Sequence, residues 1–116
     1  MRTNKTLLTL VLTPALLLAG CFNMPTPTSQ ITGSYASELR YADSDCSRLA
    51  AELDSLARRE NQLVVAQEQR IKTSQIQAFW WGFGQGDGIE AAELANVRGD
   101  KQALEHSLLA KGCWIH

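Results

Sequence analysis

The pattern of apolar and polar positions divides the chain into distinct stretches. An apolar run occupies residues 7–18, and a polar stretch without helical or strand period follows it up to Ala42. Two long segments, 46–81 and 89–111, repeat apolar residues at the spacing of a helix face, and the stretch 82–88 between them carries four glycines. The pattern predicts an all-α chain with a helix, a glycine-rich turn and a second helix.

The first periodic segment has a polar start and one mixed face. Asp43, Ser44 and Asp45 offer capping side chains immediately before it, which predicts a helix start there. The apolar members of the face are Leu49, Leu53, Leu56, Ala57, Val64, Ile71 and Ala78. They share a stripe about 100° wide. Glu60 and Gln67 lie in the middle of this stripe, so we expect two polar residues in the seam.

The second periodic segment also has an apolar face with a charge at its centre. Its apolar members are Leu94, Val97, Leu104 and Leu108. Lys101 lies between them on the same face. Gly112 stands where a helix C-cap is expected, directly before Cys113. We therefore predict a second helix that ends just before this cysteine.

An antiparallel hairpin places the start of the first helix beside the end of the second. Cys46 and Cys113 then meet at its base. In this register Gly99 lies opposite Glu60, where the missing side chain would let the two helix backbones approach. Lys101 lies within a turn of Glu60. The two charges either pair across the seam or both extend to solvent beside it.

The N-terminal apolar run is typical of a signal peptide. Arg2 and Lys5 form a basic start, and the apolar run after them is shorter than the ~20 residues that a spanning helix needs. The run closes on Leu18-Ala19-Gly20-Cys21, which matches the cleavage and acylation signal of bacterial lipoproteins. We predict a cleaved signal peptide over residues 1–20.

Acylation of Cys21 would anchor the mature chain in a membrane. Each apolar acyl carbon that is buried contributes ~0.8 kcal/mol, so several chains hold firmly. The alternative is ordinary cleavage that leaves Cys21 as a free thiol. Phe22 is not the aspartate that resembles an inner-membrane retention signal. The outer membrane, on its periplasmic face, is therefore the expected location, in preference to the inner membrane.

The cysteine count of three fits this location. With Cys21 taken by lipid, Cys46 and Cys113 remain as one pair in an oxidising compartment, where a disulfide is the expected outcome. The competing hypothesis is a periplasmic metal-binding protein in which both thiols and His116 hold zinc. Because exported thiols tend to be oxidised, we favour the disulfide and expect no metal and no cofactor.

The polar stretch before the first helix predicts a flexible tether. It contains prolines and no period, so we divide the mature chain into an acylated N-terminus with a tether, 21–42, and a helical hairpin domain, 43–116. Tyr35, Leu39 and Tyr41 could instead pack on the domain as an N-terminal turn. A domain this small needs help from a disulfide, metal or partner, and the predicted bridge supplies it.

Charge and motif content exclude several classes of function. After removal of Arg2 and Lys5, nine basic residues face twelve acidic ones, a net charge near −3. This balance does not favour nucleic acid as a partner. The sequence has no nucleophile elbow, phosphate-binding loop or paired carboxylates in a predicted cleft. We therefore expect a protein that is not an enzyme.

The aromatic residues at the turn are the main candidates for contact. Trp80, Trp81 and Phe83 lie among the glycines where the chain reverses. They either form an exposed apolar surface for a protein partner or a bilayer interface, or fold back to cap the end of the hairpin. Capping would cover Ile71, Ile76 and Ile89. Both arrangements remain open at the level of the sequence.

Short motifs spread over the mature chain carry a resemblance. They are Leu18-Ala19-Gly20-Cys21, Cys46-x-x-Leu49-x-x-Glu52-Leu53, Phe79-Trp80, Glu90-x-x-Glu93-Leu94, Arg98-Gly99-Asp100, Ala103-Leu104-Glu105 and Lys111-Gly112-Cys113. The layout resembles a family of small, uncharacterised proteobacterial lipoproteins. The resemblance implies an anchored helical hairpin in the envelope and carries no activity with it.

These observations give one favoured function and two alternatives. The favoured function is that of a membrane-anchored envelope lipoprotein acting as a non-enzymatic binding or structural module, with the membrane and a protein partner as contacts. The first alternative is an accessory subunit of an envelope or secretion assembly, in which partner helices complete the seam. The second is the metal-binding protein described above.

Overall fold

The computed structural model describes residues 23–113, and the following account concerns these residues. The predicted signal peptide, residues 1–20, and the predicted acylation site at Cys21 lie outside them, as does His116. Within the described residues the chain is all-α, with two packed helices joined at one end by a disulfide. The predicted fold class is confirmed.

Two long helices form the hairpin. Helix α1 spans Cys46–Trp81 and helix α2 spans Ile89–Ala110. Two short 3-10 turns, Thr28–Gln30 and Glu38–Tyr41, precede them. At 1.5 Å per residue, α1 is roughly 54 Å long. Because α1 is much the longer helix, the segment that follows it runs back along its final turns before α2 begins.

The base of the hairpin is held by two helix caps and a disulfide. The Asp45 side chain accepts a hydrogen bond from the Arg48 backbone N–H at 2.8 Å, as the capping prediction required. After α2, Gly112 adopts a φ of 69°, which favours glycine. The N–H of Cys113 then returns to the Leu108 carbonyl at 2.9 Å. This left-handed turn brings Cys113 beside the start of α1.

The predicted disulfide joins Cys46 and Cys113. The two Cα atoms are 5.5 Å apart and 67 positions separate the residues in the sequence. A crosslink over a loop of this length removes much of the conformational freedom of the unfolded chain, by about 4 kcal/mol on the chain-entropy account. The disulfide is therefore a major contributor to the stability of a slender hairpin.

Residues 23–42, which we call the strap, pack against both helices. The Ser34 N–H donates to the Ala95 carbonyl at 2.9 Å, and the side chains of Ile31 and Tyr41 are buried. The flexible tether predicted over residues 21–42 is therefore corrected for the part that the structure describes. Hydrogen bonds of backbone and side-chain groups and the apolar side chains of Ile31 and Tyr41 hold the strap, and none of these contacts leaves a period in the sequence.

The strap completes the hydrophobic core, which two helices alone would leave thin. One apolar cluster, near the base, contains Tyr41, Leu49, Ala103, Leu104 and Leu108. A second cluster, nearer the middle, contains Ile31, Leu63 and Leu94. Each cluster takes side chains from the strap, α1 and α2, so the domain has three layers. Three residues were candidates for an N-terminal turn packed on the domain. Tyr41 packs in the core, whereas Tyr35 and Leu39 are exposed.

An ion cluster separates the two apolar clusters. Lys101 Nζ lies 2.7 Å from one oxygen of Glu60, and Arg98 Nε lies 3.3 Å from the other. The pairing of Glu60 with Lys101, one of two predicted arrangements, is observed. Arg98 Nη1 also donates to the Thr28 and Ile31 carbonyls of the strap. The cluster therefore binds all three layers together.

Gly99 serves a different contact from the one predicted. The sequence suggested that its missing side chain lets the helix backbones approach opposite Glu60. A Cβ at Gly99 would instead lie 1.8 Å from the backbone oxygen of Ser34. The close approach is therefore between α2 and the strap. The sequence located a tight contact correctly and assigned it to the wrong neighbour.

Candidate functional site

The end of the hairpin opposite the disulfide combines a polar interior with an apolar exterior. The segment after α1 folds back so that the Gln85 N–H donates to Ser74 Oγ at 3.1 Å. Arg70 Nε lies 3.2 Å from a carboxylate oxygen of Glu90 at the start of α2. These contacts fix the returning segment against α1. The final turns of α1 project beyond them.

Gln67 and Ser74 occupy positions where a leucine would be expected. Both side chains are fully buried, with an exposed fraction of 0%. Gln67 Nε2 donates to the Thr26 carbonyl and to Asp87 Oδ1, each at 2.9 Å. Gln67 thus connects α1, the strap and the segment before α2. Gln67 lies in the seam as its place in the predicted stripe required, whereas Val64, also in that stripe, is only half-buried.

Asp87, which is itself exposed, is the charged group at the edge of this polar interior. The Thr26 N–H donates to Asp87 Oδ1 at 2.6 Å, and the Thr26 hydroxyl donates to Oδ2. Burial acts to raise the pKa of Asp87, but the hydrogen bonds from Thr26 and Gln67 outweigh it and lower the pKa. Asp87 is therefore held as a carboxylate that secures the start of the strap.

The strap begins at this same end. The Asn23 side-chain amide donates to the Gly84 carbonyl at 3.2 Å, and the side chain also lies against Gly86. Met24 contacts Gly84 as well. From there the strap runs towards the base, where the Lys111 ammonium donates to the carbonyls of Ala42 and Ser44. The N-terminal end of the described chain thus lies one residue position from Phe83.

The aromatic tip, which we define as Phe79, Trp80, Trp81 and Phe83, is exposed. The exposed fractions are 82%, 72%, 76% and 59% in that order. Phe79 and Trp80 form an edge-to-face pair with ring centroids 5.3 Å apart. No ionisable residue occurs between Lys72 and Asp87. The tip is therefore an uncharged apolar surface.

The predicted contact residues are exposed and do not cap the hairpin. Trp80, Trp81 and Phe83 face solvent, and Ile76 and Ile89, which a cap would cover, are exposed too. The capping arrangement is therefore not the one observed. Aromatic side chains left in water at the end of a helix are costly unless another surface covers them.

Two further exposed apolar residues at this end of the hairpin were not predicted as contact residues. Phe79 is the most exposed residue of the aromatic tip, and Ile76 precedes it by one turn. Both lie on the outer face of α1 beside Lys72 and Gln75, where the side chains form a shallow apolar groove. Their i, i+3 spacing on the face away from α2 was the available signal.

The two sulfurs proposed for a zinc site are bonded to each other. Cys46 and Cys113 form the disulfide, so neither thiolate is free to bind a metal in this structure. Over residues 23–113 no group of three histidine, cysteine or acidic side chains is arranged to hold a metal ion. His116, the third proposed ligand, lies outside that range.

Helix α1 is long, but neither helix within the described part of the chain has an apolar stretch that could cross a bilayer. Comparisons of the chain with family models, curated proteins and solved structures give no match.

Proposed function

We propose that this protein is a lipid-anchored lipoprotein of the bacterial envelope whose hairpin is a non-enzymatic contact module. The anchor is Cys21, which becomes the N-terminal residue when residues 1–20 are cleaved off. The contact surface is the aromatic tip. The favoured location is the periplasmic face of the outer membrane, because Phe22 does not provide an inner-membrane retention signal.

One observation carries the proposal. Four aromatic side chains are exposed together on an uncharged surface, although the fold buries glutamine and serine close by. Phe and Trp contribute about 150–250 Å² of surface each when they are covered, so a partner surface gains much from them. The apolar and aromatic character of the tip fits recognition by contact. It offers no acid, base or nucleophile for catalysis.

Site-specific photocrosslinking tests the contact surface. A photoreactive amino acid replaces Trp81 in the full chain, and a matched chain carries it at Ser47 near the disulfide. Both are irradiated in intact cells. We expect adducts chiefly from position 81, because the tip exposes four aromatic side chains together. Equal labelling from both positions would contradict a contact role for the tip.

Mass spectrometry of the mature protein tests the anchor. We expect an N-terminal residue 21 that carries acyl chains, and a Cys21→Ser chain that is released from membranes. An unmodified Cys21 in the mature protein would contradict the lipoprotein assignment. These two experiments are independent, because crosslinking reports on the tip and mass reports on the N-terminus.

The accessory-subunit alternative has one observation in its favour. A groove with mainly apolar lining runs beside the disulfide between the helices, and Ala50, Leu53, Ala57 and Leu108 contribute to it. A partner helix could pack there. Thermal unfolding at decreasing protein concentration tests this alternative: an assembly subunit loses helix on dilution, whereas a solitary hairpin melts at a constant temperature.

A further inference from the structure

The strap determines which end of the hairpin the membrane anchor reaches. Its first described residue, Asn23, contacts Gly84 and Gly86 at the tip. Its last part contacts the base, about 40 Å away along α1. Since Thr26 and Ile31 hold the strap between these points, its direction is fixed by several contacts. The N-terminal end therefore belongs to the tip and not to the disulfide.

Covalent geometry extends this result to Cys21. Two residues of fully extended chain span at most about 7 Å, so Cys21 lies within that distance of Asn23. The last residue of the aromatic tip, Phe83, directly precedes Gly84, which Asn23 contacts. The covalent link to Asn23 therefore keeps the acyl chains of Cys21 at this end of the hairpin and away from the disulfide. The predicted tether, in contrast, would let the hairpin point in any direction.

The composition of the tip suits the lipid that these acyl chains enter. Tryptophan is enriched at the level of lipid headgroups, where its ring is apolar and its N–H can still be solvated. The absence of ionisable residues between Lys72 and Asp87 removes the main obstacle to partial insertion. The charged pair formed by Arg70 and Glu90 lies closer to the disulfide than the aromatic tip does.

We propose that the aromatic tip inserts into the interface of the same lipid leaflet that holds the acyl chains of Cys21. The hairpin then stands on the membrane, with the disulfide end held roughly 50 Å out in the periplasm. This inference rests on the proposed lipid anchor and names the occupant of the contact surface. The anchor supplies the lipid at high local concentration, so a weakly inserting tip stays engaged.

Tryptophan quenching by brominated lipid tests the orientation. The test uses the mature protein, residues 21–116, produced by processing of the full chain. With Trp80→Phe and Trp114→Phe it retains Trp81 as its single indole. It is reconstituted into vesicles of phosphatidylethanolamine and phosphatidylglycerol, with or without bromine on the acyl chains. The matched control also carries Trp81→Phe and moves the indole to Ser47→Trp. Circular dichroism confirms the helix content of both chains, and mass spectrometry confirms acylation.

The expected result is a large loss of Trp81 emission in brominated vesicles and no loss for the Ser47→Trp chain. If the acylated protein shows no quenching at Trp81, the tip does not enter the leaflet and the inference is overturned, while the lipid anchor stands. Equal quenching at both positions means that the hairpin lies flat, which also overturns it. A protein that lacks acyl groups overturns the proposed anchor, and the inference with it.

Discussion

The two ends of the hairpin are built in opposite ways. At the base, Tyr41, Leu49 and Leu104 are buried and a disulfide closes the helices. At the other end, Gln67 and Ser74 are fully buried while the aromatic tip is exposed. Burial of a large apolar side chain contributes roughly 1.5–3 kcal/mol. The base uses this source of stability, and the exposed side chains of the aromatic tip do not.

This difference separates stability from contact within one small domain. The base and the middle hold the fold through apolar clusters, the ion cluster at Glu60 and the disulfide. The tip is fixed through hydrogen bonds, which leave its aromatic side chains free. The strap connects the two ends and starts at the tip. Changes at the base should therefore affect stability, and changes on the tip surface should affect contact.

The largest effect should follow removal of the disulfide. Replacement of both residues, Cys46→Ser and Cys113→Ser, should lower the free energy of unfolding by about 4 kcal/mol, because the unfolded chain regains its freedom. Urea unfolding of the purified protein measures the change. The matched control is Cys21→Ser, which keeps the disulfide and should leave stability within about 0.5 kcal/mol. Equal stability with and without the disulfide would contradict a base built for stability.

A smaller loss should follow disruption of the polar interior near the tip. Gln67→Leu removes the donor to the Thr26 carbonyl and to Asp87, so it should cost about 1–3 kcal/mol. Gln69→Leu, an exposed position on the same helix, is the matched control and should change stability little. Equal effects of the two substitutions would show that the buried amide does not hold this end.

Acid should weaken the same end. The pKa of Asp87 is lowered in the folded protein, because hydrogen bonds from Thr26 and Gln67 outweigh the effect of burial. A lowered pKa contributes stability above the ordinary value of the group, and this stability is lost as pH falls through the folded value. The free energy of unfolding should therefore decline below about pH 5. Asp87→Asn should reduce the slope, and an unchanged slope would contradict this role.

Glu60 should contribute to the same decline from the middle of the hairpin. Burial raises its pKa, but hydrogen bonds from Lys101 and Arg98 outweigh burial and lower it. Glu60→Gln therefore removes a second share of the pH dependence. Comparison of the two variants across pH separates the contribution of the tip from that of the ion cluster.

The smallest effect on stability should come from the tip surface. Trp80→Ser with Trp81→Ser should change the free energy of unfolding by less than about 0.5 kcal/mol, because both side chains are already exposed. Leu49→Ala at the base is the contrasting variant and should cost about 2–5 kcal/mol. A large loss from the tryptophan variant would mean that the tip supports the fold and is not reserved for contact.

Much of the hairpin could be predicted from the sequence because its signals are local. Asp45 caps α1, the helical period continues to Trp81, and Gly112 ends α2 next to Cys113. Each of these features depends on residues within a turn or two. The disulfide followed from the cysteine count and the inferred compartment, and its position then set the register.

The strap could not be predicted in this way. Its anchors, Ile31 and Tyr41, are ten positions apart in a polar stretch, so they produce no period. Its other contacts are hydrogen bonds of scattered polar groups, such as the Ser34 N–H and the Thr26 hydroxyl, and these leave no period either. Gly99 carried a signal for close approach, but a glycine does not identify its neighbour. The direction of the strap became known only with the structure.

The sequence identified the aromatic residues of the candidate site, but it did not show whether they are exposed or cap the hairpin. Trp80, Trp81 and Phe83 near a turn are compatible with both a cap and an exposed surface. The structure shows the exposed surface, because Trp80, Trp81 and Phe83 all face solvent. The helical period placed Gln67 in the seam, but it did not identify Thr26 and Asp87 as the groups that its amide contacts.

Amide hydrogen exchange of the strap tests the central claim most directly, because the strap fixes the N-terminal end at the tip. The N–H groups of Thr26 and Ser34 donate to Asp87 and to the Ala95 carbonyl. The account predicts that both exchange at least about a hundredfold more slowly than in an unstructured peptide. Exchange at the unstructured rate, with α1 and α2 still protected, would restore a mobile tether and contradict the account.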